Sequence, residues 1–145
     1  MSTLNDLSHD FRPSQATHDG VALVGRILLA VLFIWSGFGK LTGFEGVVGG
    51  IAAKGLPMPT ILAAIAVAIE LGGGILLALG WRTRWVALAM ALFLIVITPI
   101  YHDFWNATGA AVTGQKVNFM KNLCILGGML MVFALGPGRY SLDRG

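Results

Sequence analysis

One run of 23 residues, 58–80, constrains this chain most, because Glu70 is its only charged residue. Its ten Val, Ile and Leu residues each favour bilayer insertion by roughly 0.3 to 0.6 kcal/mol. An acidic residue at mid-helix costs roughly 2.5 to 3.5 kcal/mol on the same scale. The run can therefore insert as a membrane-spanning helix with little margin, and a carboxyl kept there needs a partner or a function.

Small residues share the helical face that carries Glu70. They are Ala63, Ala66, Gly73 and Gly74, at spacings that return to one side of an α-helix. Small side chains let helices approach closely inside a membrane. We therefore expect Glu70 to face neighbouring helices and not lipid.

The composition of the whole chain is that of a membrane protein. Of its 145 residues, 56% are hydrophobic and 12% are charged, whereas soluble domains carry about 25% charged residues. Apolar runs at 21–40, 58–80, 85–101 and 117–135 predict four spans. The predicted fold class is all-α, a four-helix transmembrane bundle with no room for a second folded domain.

Two further segments complete the predicted organisation. In the connection 41–57, the spacing of Phe44, Val47, Val48 and Ile51 predicts a short interfacial helix between spans 1 and 2. We expect residues 1–19 to form a flexible polar N-terminal tail. The four-helix membrane domain covers 20–138, and 139–145 form a short C-terminal tail.

The distribution of basic residues predicts the orientation. An even number of spans puts both termini on one side of the membrane. The other side receives Lys54 and Lys116, with Lys40 and Lys121 near its boundary. The terminal side collects Arg12, Arg82, Arg84, Arg139 and Arg144. The positive-inside rule therefore places the termini in the cytoplasm.

Polar residues at several depths predict a pocket with Glu70 at its floor. By helical rise, Glu70 lies near mid-bilayer, Arg26 about 8 Å from the inner surface and Lys121 about 6 Å from the outer one. Either cation can approach Glu70, and the sequence does not choose between them. Ser36, Lys40 and His102 lie at the outer level, so the pocket should open outward.

Three interpretations of these residues remain open. Glu70 and one cation can form an ion pair that fixes helix register. They can instead form a head-group or proton-coupled site, where His102 exchanges protons and Lys121 or Arg26 holds an anion or carbonyl. In the third, Glu70 is a protonated and largely silent acid.

The single cysteine, Cys124, excludes an internal disulfide, and we expect it to pack as a small residue. The sequence contains no nucleotide loop, catalytic triad or metal-ligand cluster.

An ordered set of short motifs resembles the DoxX family, and in particular its YphA-like bacterial inner-membrane branch. The motifs extend over roughly residues 20–144 and are Gly25-Arg26, Ser36-Gly37-x-Gly39-Lys40-Leu41, Gly55-Leu56-Pro57-Met58-Pro59, Glu70, Leu79-Gly80-Trp81-x-Thr83-Arg84, His102-x-Phe104-Trp105, Asn118-Phe119-x-Lys121-Asn122 and Gly136-Pro137-Gly138-x-x-Ser141-Leu142-Asp143. The resemblance implies a four-helix inner-membrane protein. It also implies an association with quinone-linked oxidation, or a scaffolding role in membrane complexes.

These observations lead to three functional hypotheses. The first is an accessory subunit of a membrane redox system with a quinone-sized pocket, no covalently bound cofactor, no metal and no thiol pair of its own. The second is a non-enzymatic scaffold that binds membrane partners or further copies of itself, and the third is a small-solute or proton carrier. No feature indicates nucleic-acid binding. In the first hypothesis the catalytic residues are Glu70 and His102, and the ligand-binding residues are Arg26, Ser36, Lys40, Lys121 and Asn122.

Overall fold

A computed structural model describes residues 14–143, in which the regular secondary structure is helical. The helices are α1 (Gln15–Thr42), α2 (Phe44–Ala53), α3 (Pro59–Leu79), α4 (Thr83–Tyr101) and α5 (Ala111–Leu135). All but α2 are long and apolar enough to cross a membrane. The predicted fold class is therefore confirmed, including the short helix between spans 1 and 2. Residues 1–13, most of the predicted N-terminal tail, and residues 144–145 lie outside the described residues.

The helices extend further than the apolar runs that predicted them. Helix α1 begins at Gln15 instead of residue 21, and the Ser14 hydroxyl caps it by accepting the Thr17 N–H at 3.2 Å. Helix α5 begins at Ala111 instead of residue 117. Apolar periodicity marks only the part of a helix that lies in hydrocarbon. The polar first turns outside that layer continue the same backbone hydrogen bonding.

The four spans form a ring with one loose side. Helix α1 packs on α3, α3 on α4, and α4 along α5, whereas α1 and α5 touch at few positions. Between them, side chains such as Phe33, Leu77, Met90 and Met129 form the buried core. We call the loose side between α1 and α5 the α1–α5 seam.

A π-helical turn in α3, Ala68–Gly72, holds Glu70 at its centre. Such turns are rare and frequently occur at functional sites. Helix α1 crosses the turn so closely that a Cβ on Gly37 would stand 2.8 Å from the Cα of Leu71. A second close approach follows at Gly74, where a Cβ would lie 2.9 Å from an α1 side chain. Glu70 is consequently 3% exposed, which confirms that it faces neighbouring helices.

The C-terminal segment, residues 136–143, covers one end of the bundle. The described part of the chain begins and ends at this end, which we call the terminal end. The Asp143 carboxylate accepts the backbone N–H groups of Arg82 and Thr83, each at 2.7 Å, and so caps the start of α4. The backbone N–H of Leu142 donates to the Leu79 carbonyl at 3.2 Å. The segment that the sequence marked as a short tail is thus bound, as far as residue 143, to the connection between α3 and α4.

Candidate functional site

Six of the seven predicted site residues line one cavity of about 480 Å³. The cavity lies at the opposite end of the bundle from the C-terminal segment, where the side chains of α1, α3, α4 and α5 converge. We call it the polar cavity. Its polar lining consists of Ser36, Lys40, Glu70, His102, Lys121 and Asn122.

Lys40 is the partner of Glu70. Its Nζ donates to Glu70 Oε2 at 2.7 Å and to Ser36 Oγ at 2.7 Å. The Glu70 side chain is 4% exposed and that of Lys40 is 30% exposed, so the ammonium joins a buried carboxylate to the cavity. The prediction that Arg26 or Lys121 reaches Glu70 is wrong for both residues.

The direction of each helix explains that correction. Side chains on an α-helix tilt toward its N-terminus. Lys40 lies near the end of α1, so its side chain runs back toward the membrane centre and Glu70. Lys121 lies in the first half of α5, so the same tilt carries it outward, where its Nζ donates to Asn118 Oδ1 at 3.1 Å. Lys121 therefore lies at the rim of the polar cavity.

Arg26 does not belong to the polar cavity. It is 2% exposed, and its guanidinium donates to the carbonyls of Pro137 and Tyr140 and, at 3.4 Å, to that of Ala78. It therefore fastens α1 to α3 and to the C-terminal segment. Arg26 lines a separate space between α1 and α5 and not the cavity at Glu70.

Two further residues, Thr98 and Gln115, hydrogen-bond to side chains that line the polar cavity. The sequence did not single out either of them for the site. The Asn122 amide donates to Thr98 Oγ1 at 3.1 Å, and both residues are buried. His102 Nδ1 lies 3.0 Å from Gln115 Oε1. This hydrogen bond to the side-chain amide of Gln115 holds the imidazole ring and leaves Nε2 free. Because Thr98 lies one helical turn before His102, the sequence could have indicated that it belongs near the site. The position of Gln115 could not be predicted in this way, because it depends on α5 beginning at Ala111 and not at residue 117.

An ion pair ties the interfacial helix to the loop beside His102. Lys54 Nζ, at the end of α2, lies 3.6 Å from Asp103 Oδ1. A hydrogen bond from the Asn106 amide lowers the pKa of Asp103, and the positive charge of Lys54 adds to that effect. Asp103 is therefore charged at neutral pH and pairs with the end of α2 at this end of the bundle.

The chemistry of the cavity is that of hydrogen bonding and proton exchange. It combines two ammonium groups, a hydroxyl and an amide with one carboxylate and one imidazole. Within residues 14–143, no group of three or more His, Cys, Asp or Glu is placed to hold a metal ion. Cys124 is exposed on α5, so the expectation that it packs as a small residue is wrong. The arrangement suits a head group with carbonyl or hydroxyl oxygens.

Comparisons with known proteins find a family match and inner-membrane relatives. The family model described as DoxX matches residues 21–103. Inner membrane protein YphA of Escherichia coli (strain K12) is 41% identical over 122 residues, which cover 84% of this chain and 87% of that protein. Inner membrane protein YqjF of the same organism is 38% identical over 122 residues, covering 84% and 88%. Surfeit locus protein 4 homolog of Drosophila melanogaster is 31% identical over 124 residues, which cover 84% of this chain and 39% of that protein. No solved structure matches the chain.

Proposed function

The chain belongs to the DoxX family, and from this we propose that it is an accessory subunit of a membrane redox system that binds a quinone-sized ligand. It is a multi-pass inner-membrane protein, as its relatives and its four candidate spans indicate. The ligand's head group occupies the polar cavity. A quinone takes up electrons together with protons, so the proposal includes a partner protein that supplies the electrons.

The position of the Lys40–Glu70 pair is the observation that carries this proposal. A buried ion pair contributes little net stability, and a pair that only fixed register would be equally effective in a closed core. Here the pair lines an open cavity of about 480 Å³ together with four further polar side chains. Ionisable residues at this depth in a membrane usually serve a ligand or proton pathway.

Each polar residue has a role in the proposed site. The ammonium groups of Lys40 and Lys121 and the Asn122 amide donate to carbonyl oxygens of the head group. Glu70 and the free nitrogen of His102 exchange protons with it. Ser36 holds the Lys40 ammonium in place through their 2.7 Å hydrogen bond.

The proposed orientation has both termini in the cytoplasm and the polar cavity opening outward. The support is the distribution of basic residues, because Arg82, Arg84 and Arg139 all lie at the terminal end of the bundle. A cysteine introduced at Lys116 should then react with a membrane-impermeant maleimide in intact cells, and one introduced at Arg82 should not.

Ligand protection tests the proposed function. A benzoquinone should raise the midpoint temperature of thermal unfolding of the purified protein in nanodiscs, because a ligand bound only by the folded state stabilises it. The increase should disappear in Glu70→Gln and in His102→Ala. Lys116→Ala changes an exposed residue outside the cavity and should keep it.

Equal increases in all four proteins would show that the quinone acts through the bilayer and not through the cavity. A protein that gains no protection, tolerates both substitutions and co-purifies with a membrane partner would instead be a scaffold.

A further inference from the structure

An apolar groove of about 670 Å³ runs along the α1–α5 seam beside the polar cavity. We call it the seam groove. Its lining is largely aliphatic, with Leu29 and Leu32 from α1 and Ile125 and Val132 from α5. Leu32 also lines the polar cavity, so the two spaces adjoin at one side chain.

The length of the seam groove limits what can fill it. It follows α1 from Thr17 to Leu32, which is about 22 Å at the rise of an α-helix. The hydrocarbon core of a bilayer is about 30 Å thick, so one leaflet offers about 15 Å. The groove lies in hydrocarbon only from Val21 to Leu32, about 16 Å, so it is about one leaflet deep. A chain attached to a head group in the polar cavity enters the groove at Leu32, the side chain that lines both spaces.

We propose that the seam groove holds the isoprenoid tail of the ligand whose head group occupies the polar cavity. The inference rests on the proposed function and adds the tail site and the route of entry. The ligand enters sideways from the bilayer between α1 and α5, where the helices make least contact. The head group turns inward past Leu32, and the tail lies along the groove toward the terminal end of the bundle.

Two glycines of α1 provide a matched pair of substitutions. Gly25 lines the seam groove, whereas Gly20 does not. A Cβ built on either residue meets nothing within 4 Å. Gly25→Phe therefore places its Cβ in open space and adds a bulky side chain to the groove, and Gly20→Phe adds the same side chain elsewhere on the helix.

The experiment uses a polyisoprenoid quinone with a photoreactive diazirine at the end of its tail, in nanodiscs. After irradiation, mass spectrometry should place the adducts on groove-lining peptides of α1 and α5. Excess unlabelled long-chain quinone should remove these adducts. Gly25→Phe should reduce them to the level of the outer helix faces, and Gly20→Phe should leave them unchanged.

Thermal protection by a tail-less benzoquinone separates the two proposals. If the tail-less quinone protects the wild-type protein and adducts are spread over all lipid-facing helices without competition, the tail site is refuted while the proposed function stands. If neither quinone gives protection or competed adducts, the proposed function is refuted, and the tail site with it.

Discussion

Removing the Lys40 ammonium tests the geometry on which the functional site depends. Lys40→Met keeps the length and apolar stem of the side chain and deletes its charge. The Glu70 carboxylate then loses the only hydrogen bond that it accepts within residues 14–143, while it remains 4% exposed. The variant should therefore be much less stable than the wild-type protein.

The magnitude follows from what the carboxylate can do without its partner. Breaking a buried ion pair by removing one member costs about 3 to 5 kcal/mol. A carboxyl group can avoid that cost by taking up a proton, which for an ordinary glutamic acid requires about 3.7 kcal/mol at pH 7. We therefore expect Lys40→Met to lower the free energy of unfolding by about 3 to 4 kcal/mol.

Adding Glu70→Gln to Lys40→Met should restore most of the lost free energy of unfolding. Glu70→Gln alone leaves Lys40, which is 30% exposed and can be hydrated through the cavity, so it should cost only about 1 kcal/mol. In the double variant no uncompensated charge remains. Its free energy of unfolding should then lie within about 2 kcal/mol of the wild-type value, above that of Lys40→Met.

The measurement is unfolding of detergent-solubilised protein by increasing mole fractions of SDS, followed by circular dichroism. Lys116→Met, which changes an exposed lysine, serves as the control and should change the free energy of unfolding by less than about 0.5 kcal/mol. The reasoning is refuted if the double variant is as unstable as Lys40→Met.

Three further predictions test the packing of the bundle. Gly37→Ala should cost about 1 to 3 kcal/mol, because its Cβ meets the α3 backbone. Gly39→Ala adds a Cβ with nothing within 4 Å and should lack that cost. Thermal unfolding of the two variants makes the comparison. Asp143→Ala should cost about 1 kcal/mol by removing the cap of α4. Burial opposes the charge on Asp143, but hydrogen bonds from Thr83 and its neighbour outweigh burial and lower the pKa of the carboxyl. The stabilisation is therefore present at neutral pH and is lost as the pH falls through that lowered pKa, so the unfolding midpoints of variant and wild type should converge in acid. Arg26→Lys should cost about 2 kcal/mol, because an ammonium cannot reach three carbonyls at once, and limited proteolysis should cut residues 136–143 faster.

The positions of the spans could be predicted because hydrocarbon imposes a strict requirement on composition. Every backbone polar group in the bilayer must be satisfied within the protein, so an apolar run of span length forms a helix. That requirement ends at the membrane surface, where the first turns of α1 and α5 are decided by local capping and packing. The start of α1 at Gln15 and of α5 at Ala111 therefore fell outside what apolar periodicity could show.

The members of the polar cavity could be predicted more completely than their pairing. Judged only by their distance from a membrane surface, Arg26 and Lys121 were equal candidates for the partner of Glu70. Side-chain tilt turns both of them away from Glu70 and turns Lys40 toward it, and it was available once the spans were assigned alternating directions. The π-helical turn at Glu70 was not predictable in this way, because nothing in the local sequence distinguishes it from an ordinary turn of α3.

The motifs that the chain shares with the DoxX family form two groups, one at each end of the bundle, and the two groups have different consequences for function. At the terminal end, Arg26, Arg84 and Asp143 are bound to backbone groups, and Arg84 donates to the last carbonyls of α5, those of Phe133 and Ala134, at 2.6 Å. Substitutions there should change stability and leave ligand selectivity as it is. At the other end, the polar side chains line an open space, so substitutions should change what binds there. Measuring stability and quinone protection in both groups separates a scaffold, for which only the first group matters, from a ligand-binding subunit, for which both do.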